Sequence, residues 1–222
     1  MLNNNNSEQK KSGFTIIELL IATSVFSIIM LVVTTGIIRI GQSYYKGIIQ
    51  SRTQEVTRSV GEDISRTIQL SKGIVSKDDD DPDRTRITCV GDVRYVHNIN
   101  KQVPANEGLI SYRLTPNDDC LDEDQGTDRK ELLGQNMRLL KFEVKKPDED
   151  QSGRTWKIDI RVAYGESDLL SAYNDDESSP NGWDGGNTNV PAVYNATCKS
   201  GIAGSSFCAT SKLDILVKRR LN

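Results

Sequence analysis

Glu18 is the single charge in the 25 residues of positions 14–38. A carboxylate deep in an apolar helix costs on the order of 2.5–3.5 kcal/mol even by lenient scales. A neutral residue would anchor better, so the position points to a partner for the glutamate. Four cysteines, Cys89, Cys120, Cys198 and Cys208, all lie downstream of the apolar run. An even number on one side fits disulfides in an oxidising compartment, with buried free thiols as the competing reading. Four cysteines allow three connectivities; joining 89 to 120 and 198 to 208 closes the smaller loops and requires less chain ordering. His97 is the only histidine and follows Val93, Arg94, Tyr95 and Val96, which suits a structural role better than a general base. Asp122, Asp124 and Asp128 surround Gly126, a weak calcium pattern short of an EF-hand; a solvated acidic loop is the plainer reading. Asn195-Ala196-Thr197 matches a glycosylation sequon. No nucleophile motif, phosphate-cradling loop or zinc spacing is present, so neither an enzyme nor a cofactor is expected.

These residues need elements to hold them. As a helix, residues 14–38 extend about 37 Å, enough to cross a hydrocarbon core with some tilt. Lys10 and Lys11 lie just before the run and mark that end as cytoplasmic. A secretory signal would have a shorter core followed by small residues. Here Arg39-Ile40-Gly41-Gln42 follows instead. Tyr45, Ile49, Val56, Val60, Ile64 and Ile68 recur at steps of four or seven, as an amphipathic helix requires. One helix is therefore expected from residue 14 to about residue 70. Asp63 departs from the pattern, because it projects onto the apolar arc. Gly36, Gly41, Gly47 and Gly61 weaken the helix and allow bends.

Beyond residue 73 the pattern shifts to period two. Residues 84–95 suggest two short strands around Gly91. Ile110, Tyr112 and Leu114 alternate, as do Leu140, Phe142 and Val144, then Trp156, Ile158, Ile160, Val162 and Tyr164, and finally Leu213, Ile215 and Val217. Half-buried strands of this kind suit an antiparallel sheet with one face covered by the helix. Residues 78–83 are an acidic loop, and residues 171–212 are too long and polar for an ordinary connection.

At the start of the chain, Lys10-Lys11-Ser12-Gly13 followed by Phe14-Thr15-Ile16-Ile17-Glu18-Leu19-Leu20 resembles a type IV prepilin leader and the beginning of its helix. The resemblance implies cutting between Gly13 and Phe14 by prepilin peptidase and N-methylation of the new Phe14 amine. It implies that Glu18 acts in subunit assembly. Many pilins carry a proline in the membrane half of this helix; here Thr34-Thr35-Gly36 stands at about that place. Arg58 to Arg66, Leu132-Leu133-Gly134, and Lys218-Arg219-Arg220-Leu221-Asn222 loosely resemble W-type minor pilins and J-type pseudopilins.

The expected fold is α+β and pilin-like. Its divisions are a removed leader at 1–13, a transmembrane half-helix at 14–38, an amphipathic half at 39–72, and an exported β-rich domain at 73–222. The expected function is a minor structural subunit of a type IV pilus, priming assembly or forming the tip. Its implied partners are other pilin subunits in a helical fibre, the prepilin peptidase, the inner-membrane assembly machinery and the membrane itself. The precursor would span the cytoplasmic membrane once, with the domain outside, and reach the cell surface after assembly. A J-type pseudopilin of a secretion or DNA-uptake pseudopilus is the first alternative. A membrane-anchored enzyme or binding domain is the second. A net charge of −3 argues against direct nucleic-acid binding by the whole surface.

Overall fold

The computed structural model describes residues 13–71, 73–77, 86–99, 101–103, 107–115, 118–120, 126–147, 154–171 and 196–220. The acidic stretch 78–83, the leader lysines Lys10 and Lys11, and most of the polar stretch 171–212 lie outside them. The chain divides into two units, 1–43 and 44–222.

In the first unit a single helix, α1 (Ile16–Leu70), begins and passes uninterrupted into the second. Its apolar side chains up to Ile40 are all exposed. The hydroxyl residues among them turn inward. Thr23 donates to the Leu20 carbonyl, Ser24 to Ile21, Ser27 to Thr23, Thr34 to Met30 and Thr35 to Leu31, at 2.7–3.1 Å. Each such bond spends a hydroxyl on the helix's own backbone, as a lipid-facing surface requires.

In the second unit the same helix becomes one-sided. Its buried residues are Ile49, Thr53, Thr57, Val60, Gly61, Ile64 and Ile68. Thr53 and Thr57 were not part of the expected stripe. Their hydroxyls bond the Ile49 and Thr53 carbonyls at 2.8 and 2.7 Å, so each presents a methyl group to the core. Tyr45, expected on the stripe, is exposed. Asp63 is also exposed, beside the Tyr95 hydroxyl. Tyr95 donates to Thr67 at 3.2 Å.

The helix covers two antiparallel sheets. The first is a meander of β1 (Ile74–Lys77), β2 (Arg86–Val90), β3 (Val93–His97), β4 (Leu109–Arg113) and β5 (Thr127–Glu131), in that order. The second has β6 (Met137–Lys145) and β10 (Ala209–Lys218) on either side of β7 (Thr155–Tyr164). A short pair, β8 (Leu170–Ser171) with β9 (Thr197–Cys198), stands apart. Val60, Ile64 and Ile68 pack with Tyr95 and Leu109 of the first sheet and with Phe142, Ile158 and Ile160 of the second. Each fully buried side chain of this size contributes about 1.5–3 kcal/mol.

Two details depart from the alternation read in the sequence. Leu140, Phe142 and Val144 do not share a face. The register between β6 and β7 shifts between Leu139 and Lys141, which is a bulge at Leu140. Leu139 and Phe142 therefore stay in the main core. Leu140 instead enters a second cluster with Ala163, Leu169, Leu170, Ala196 and Cys208. The polar stretch expected to run to residue 212 gives way to β10 at Ala209, where the strand pairs with Tyr164 of β7.

The outer face of the second sheet is charged in rows. Glu143, Asp159 and Asp214 lie opposite one another across the three strands. Like charges so placed repel. The adjoining row of Lys141, Arg161 and Lys212 neutralises them. Lys141 Nζ is 2.7 Å from Asp159, and Lys212 Nζ is 2.8 Å from Asp214. The Lys212 bond holds the Asp214 carboxyl below its usual range.

Candidate functional site

The chain enters α1 through Gly13, Phe14 and Thr15, none of them in regular structure and all exposed. A β-carbon at Gly13 would meet nothing within 4 Å. The fold therefore makes no demand for glycine there. The residue is free to serve another need, such as close approach of the backbone to a protease.

Thr15 and Glu18 form a reciprocal cap at the helix start. The Glu18 N–H donates to Thr15 Oγ1 at 3.3 Å. The Thr15 N–H and hydroxyl both donate to Glu18 Oε2, at 2.9 and 2.8 Å. This is a capping box, the Thr-x-x-Glu pattern in which two orphan donors of the first turn are satisfied. Thr15-Ile16-Ile17-Glu18 displays that pattern openly in the sequence. It gives Glu18 a partner within its own chain, besides any amine at Phe14. Glu18 also sits in the first turn, where the helix dipole favours a negative charge.

His97 is buried on β3. Its Nε2 is 3.4 Å from Thr88 Oγ1, and its ring packs 4.8 Å from that of Phe142. Burial, with the nearby Arg86 charge, pushes its pKa down to about 3. The ring is thus neutral at ordinary pH, and among the described residues no acid–base partner is aligned to it. Cys89 is joined to Cys120 and Cys198 to Cys208, with Cα separations of 6.1 and 5.7 Å. The first disulfide ties β2 to the chain after β4. The second ties β9 to the residue before β10.

Asp128 lies exposed on β5, 4.0 Å from Arg113. Asp122, Asp124 and Asn195 lie outside the described residues. Among the described residues no three His, Cys, Asp or Glu side chains come together as a metal site.

The family model for the prokaryotic N-terminal methylation motif matches residues 9–34. No curated protein and no solved structure matches the chain significantly. The matched segment holds Gly13, Phe14, the Thr15–Glu18 cap and most of the exposed apolar helix. Motif and architecture together support a protein of the type IV pilin or pseudopilin type, anchored in a membrane by its apolar helix. The fold is that of type IV pilins, an N-terminal helix packed on antiparallel sheets.

Proposed function

We propose that the protein is a minor structural subunit of a type IV pilus, resembling W-type minor pilins and J-type pseudopilins, that primes assembly or forms the tip. The observation behind this reading is the exposed Gly13–Phe14 bond at the head of a capped helix whose apolar half, residues 14–38, carries Glu18 as its single charge. Residues 1–13 are a leader, with Lys10 and Lys11 holding it on the cytoplasmic side. Residues 14–38 anchor the precursor and later pack in the fibre. Residues 39–72 and 73–222 form the exported part. Prepilin peptidase cuts after Gly13, and the Phe14 amine is methylated. Glu18 then meets the Phe14 amine of a neighbouring subunit.

A minor position suits the polar stretches of the sequence. Every copy in a fibre shaft repeats the same lateral contacts. Stretches as polar as 171–212 and 78–83 are accommodated more easily at a tip, where there are fewer neighbours. N-terminal mass spectrometry should find N-methyl-Phe14, and Gly13→Val should leave a membrane-inserted precursor absent from fibres. Intact residues 1–13, in cells with active prepilin peptidase, would overturn the reading. Quantitative proteomics of sheared fibres should find this subunit at a small fraction of the main pilin.

A further inference from the structure

Where the exported unit begins, α1 carries Tyr44 and Tyr45, both well exposed, Tyr44 at 68 %. They follow Ile40, the last apolar residue of the first unit, by about one turn. The ring of Tyr45 lies 6.3 Å from that of Phe207. Phe207 is 49 % exposed on a 3-10 turn, Ser205–Phe207, inside the Cys198–Cys208 loop. Ile202, in the same loop, is 40 % exposed. It stands between Gly201 and Gly204, whose φ values of 77° and 85° make the turn that carries it. The loop thus presents two large apolar side chains to the outside at the end of the unit that the chain enters from its apolar run.

The two stretches of chain that carry this patch are basic, while the acids Glu166 and Asp168 are exposed beside Leu169, against which the loop packs. Between Glu18 and Glu55 the chain has no acidic residue, whereas Arg39, Lys46 and Arg52 are basic. From residue 196 to residue 213 there is again no acid, and Lys199 is basic, Lys212 being paired with Asp214. In a chain with 31 acidic and 28 basic residues, such acid-free stretches beside exposed aromatics are distinctive. Tyrosine and phenylalanine with neighbouring lysines suit the boundary between acyl chains and anionic headgroups.

We propose that the Cys198–Cys208 loop is a membrane foot: in the inserted subunit Ile202 and Phe207, with Tyr44 and Tyr45, rest in the headgroup layer of the bilayer that α1 crosses. The disulfide and the two glycine turns set the loop's shape beforehand, so little ordering is required on contact. The foot would hold the exported unit against the bilayer until the subunit leaves for the fibre. The inference rests on the membrane-anchored reading of α1.

The test uses the full chain, reconstituted in vesicles of phosphatidylethanolamine and phosphatidylglycerol. p-Benzoylphenylalanine replaces one residue at a time and is photolysed. Ile28, inside the apolar run, tests membrane insertion. Lys218 is the distant control, because the Arg220 N–H donates to the Gln69 carbonyl at the far end of α1. Phospholipid adducts are expected at Ile28, Ile202 and Phe207, the last two at roughly tenfold or more the yield at Lys218. Lipid adducts at Ile28 with only protein adducts at Ile202 and Phe207 would overturn the foot and assign the patch to a second copy of the chain. No lipid adduct at Ile28 would overturn the membrane-anchored reading, and the foot with it.

Discussion

The Thr15 amide nitrogen lies 2.9 Å from Glu18 Oε2, and the Thr15 hydroxyl bonds that same oxygen. An ionised carboxylate accepts on both oxygens, so Oε1 can still take a second donor. The cap and a contact to another subunit's amine are therefore compatible. The cap fixes the carboxylate's direction, and the proposed contact would use its charge.

The two roles separate on substitution. Glu18→Val should insert and be cut after Gly13, yet be missing from sheared fibres. Glu18→Gln keeps an oxygen for the cap and loses the charge, so it should also fail to assemble. Recovery of Glu18→Gln in fibres at the wild-type level would reduce Glu18 to a capping residue. Thr15→Val should cost about 0.5–2 kcal/mol of helix-end stability and weaken assembly less than either glutamate change.

Mass spectrometry of the intact protein under non-reducing conditions should show Cys89–Cys120 and Cys198–Cys208 and no free thiol. Loop-closure entropy gives about 4 kcal/mol for the longer loop and about 3 kcal/mol for the shorter. Paired Cys→Ser changes, followed by denaturant unfolding, should therefore cost more at 89 and 120. Four alkylatable thiols in native protein would refute both links.

His97 binds its proton less readily in the folded chain, at about pH 3, than in the unfolded chain near 6.5. Above about pH 6.5 neither state is protonated there, and the group is neutral to stability. Between these values the unfolded state holds more protons, so stability falls as pH drops. The slope from this residue approaches about 1.4 kcal/mol per pH unit. Thermal melts from pH 7 to pH 4 should be steeper for wild type than for His97→Gln. Parallel curves would show that the histidine is not the source.

Gly165 follows β7 with φ at +115°, and a β-carbon there would lie 2.8 Å from the Phe207 carbonyl oxygen. Its own carbonyl accepts from Arg138 Nη2 at 3.1 Å. Gly165→Ala combines a disfavoured φ with a backbone clash and should cost about 1–3 kcal/mol or more. Gly13→Ala meets no atom and should leave the melting temperature unchanged.

The helix was legible because composition and period spoke together. The apolar run and the step-of-four stripe place it within two residues of the observed Ile16–Leu70. The strands β7 and β10 were legible from clean alternation. Other features were hidden for physical reasons. Thr53 and Thr57 read as polar because their hydroxyls count as polar until they bond the helix itself. The bulge at Leu140 is one extra residue, and it reverses the face of what precedes it. The polar strand β5 is held at the edge of its sheet, where charged side chains face solvent, and no hydrophobic period marks it. The capping box is spelled out in four residues, but a threonine beside an apolar run has no periodicity that sets it apart.

The buried stripe of α1, from Ile49 to Ile68, also has a mechanical meaning. A pull entering at Tyr44 acts along the helix axis. It would slide the stripe past both sheets, so the contacts of Val60, Ile64 and Ile68 are loaded side by side and not one after another. Gly61 adds a latch, since the Leu213 and Ile215 side-chain tips of β10 sit where its β-carbon would be. Under tension the second unit should resist in shear, the geometry in which many weak contacts must yield together.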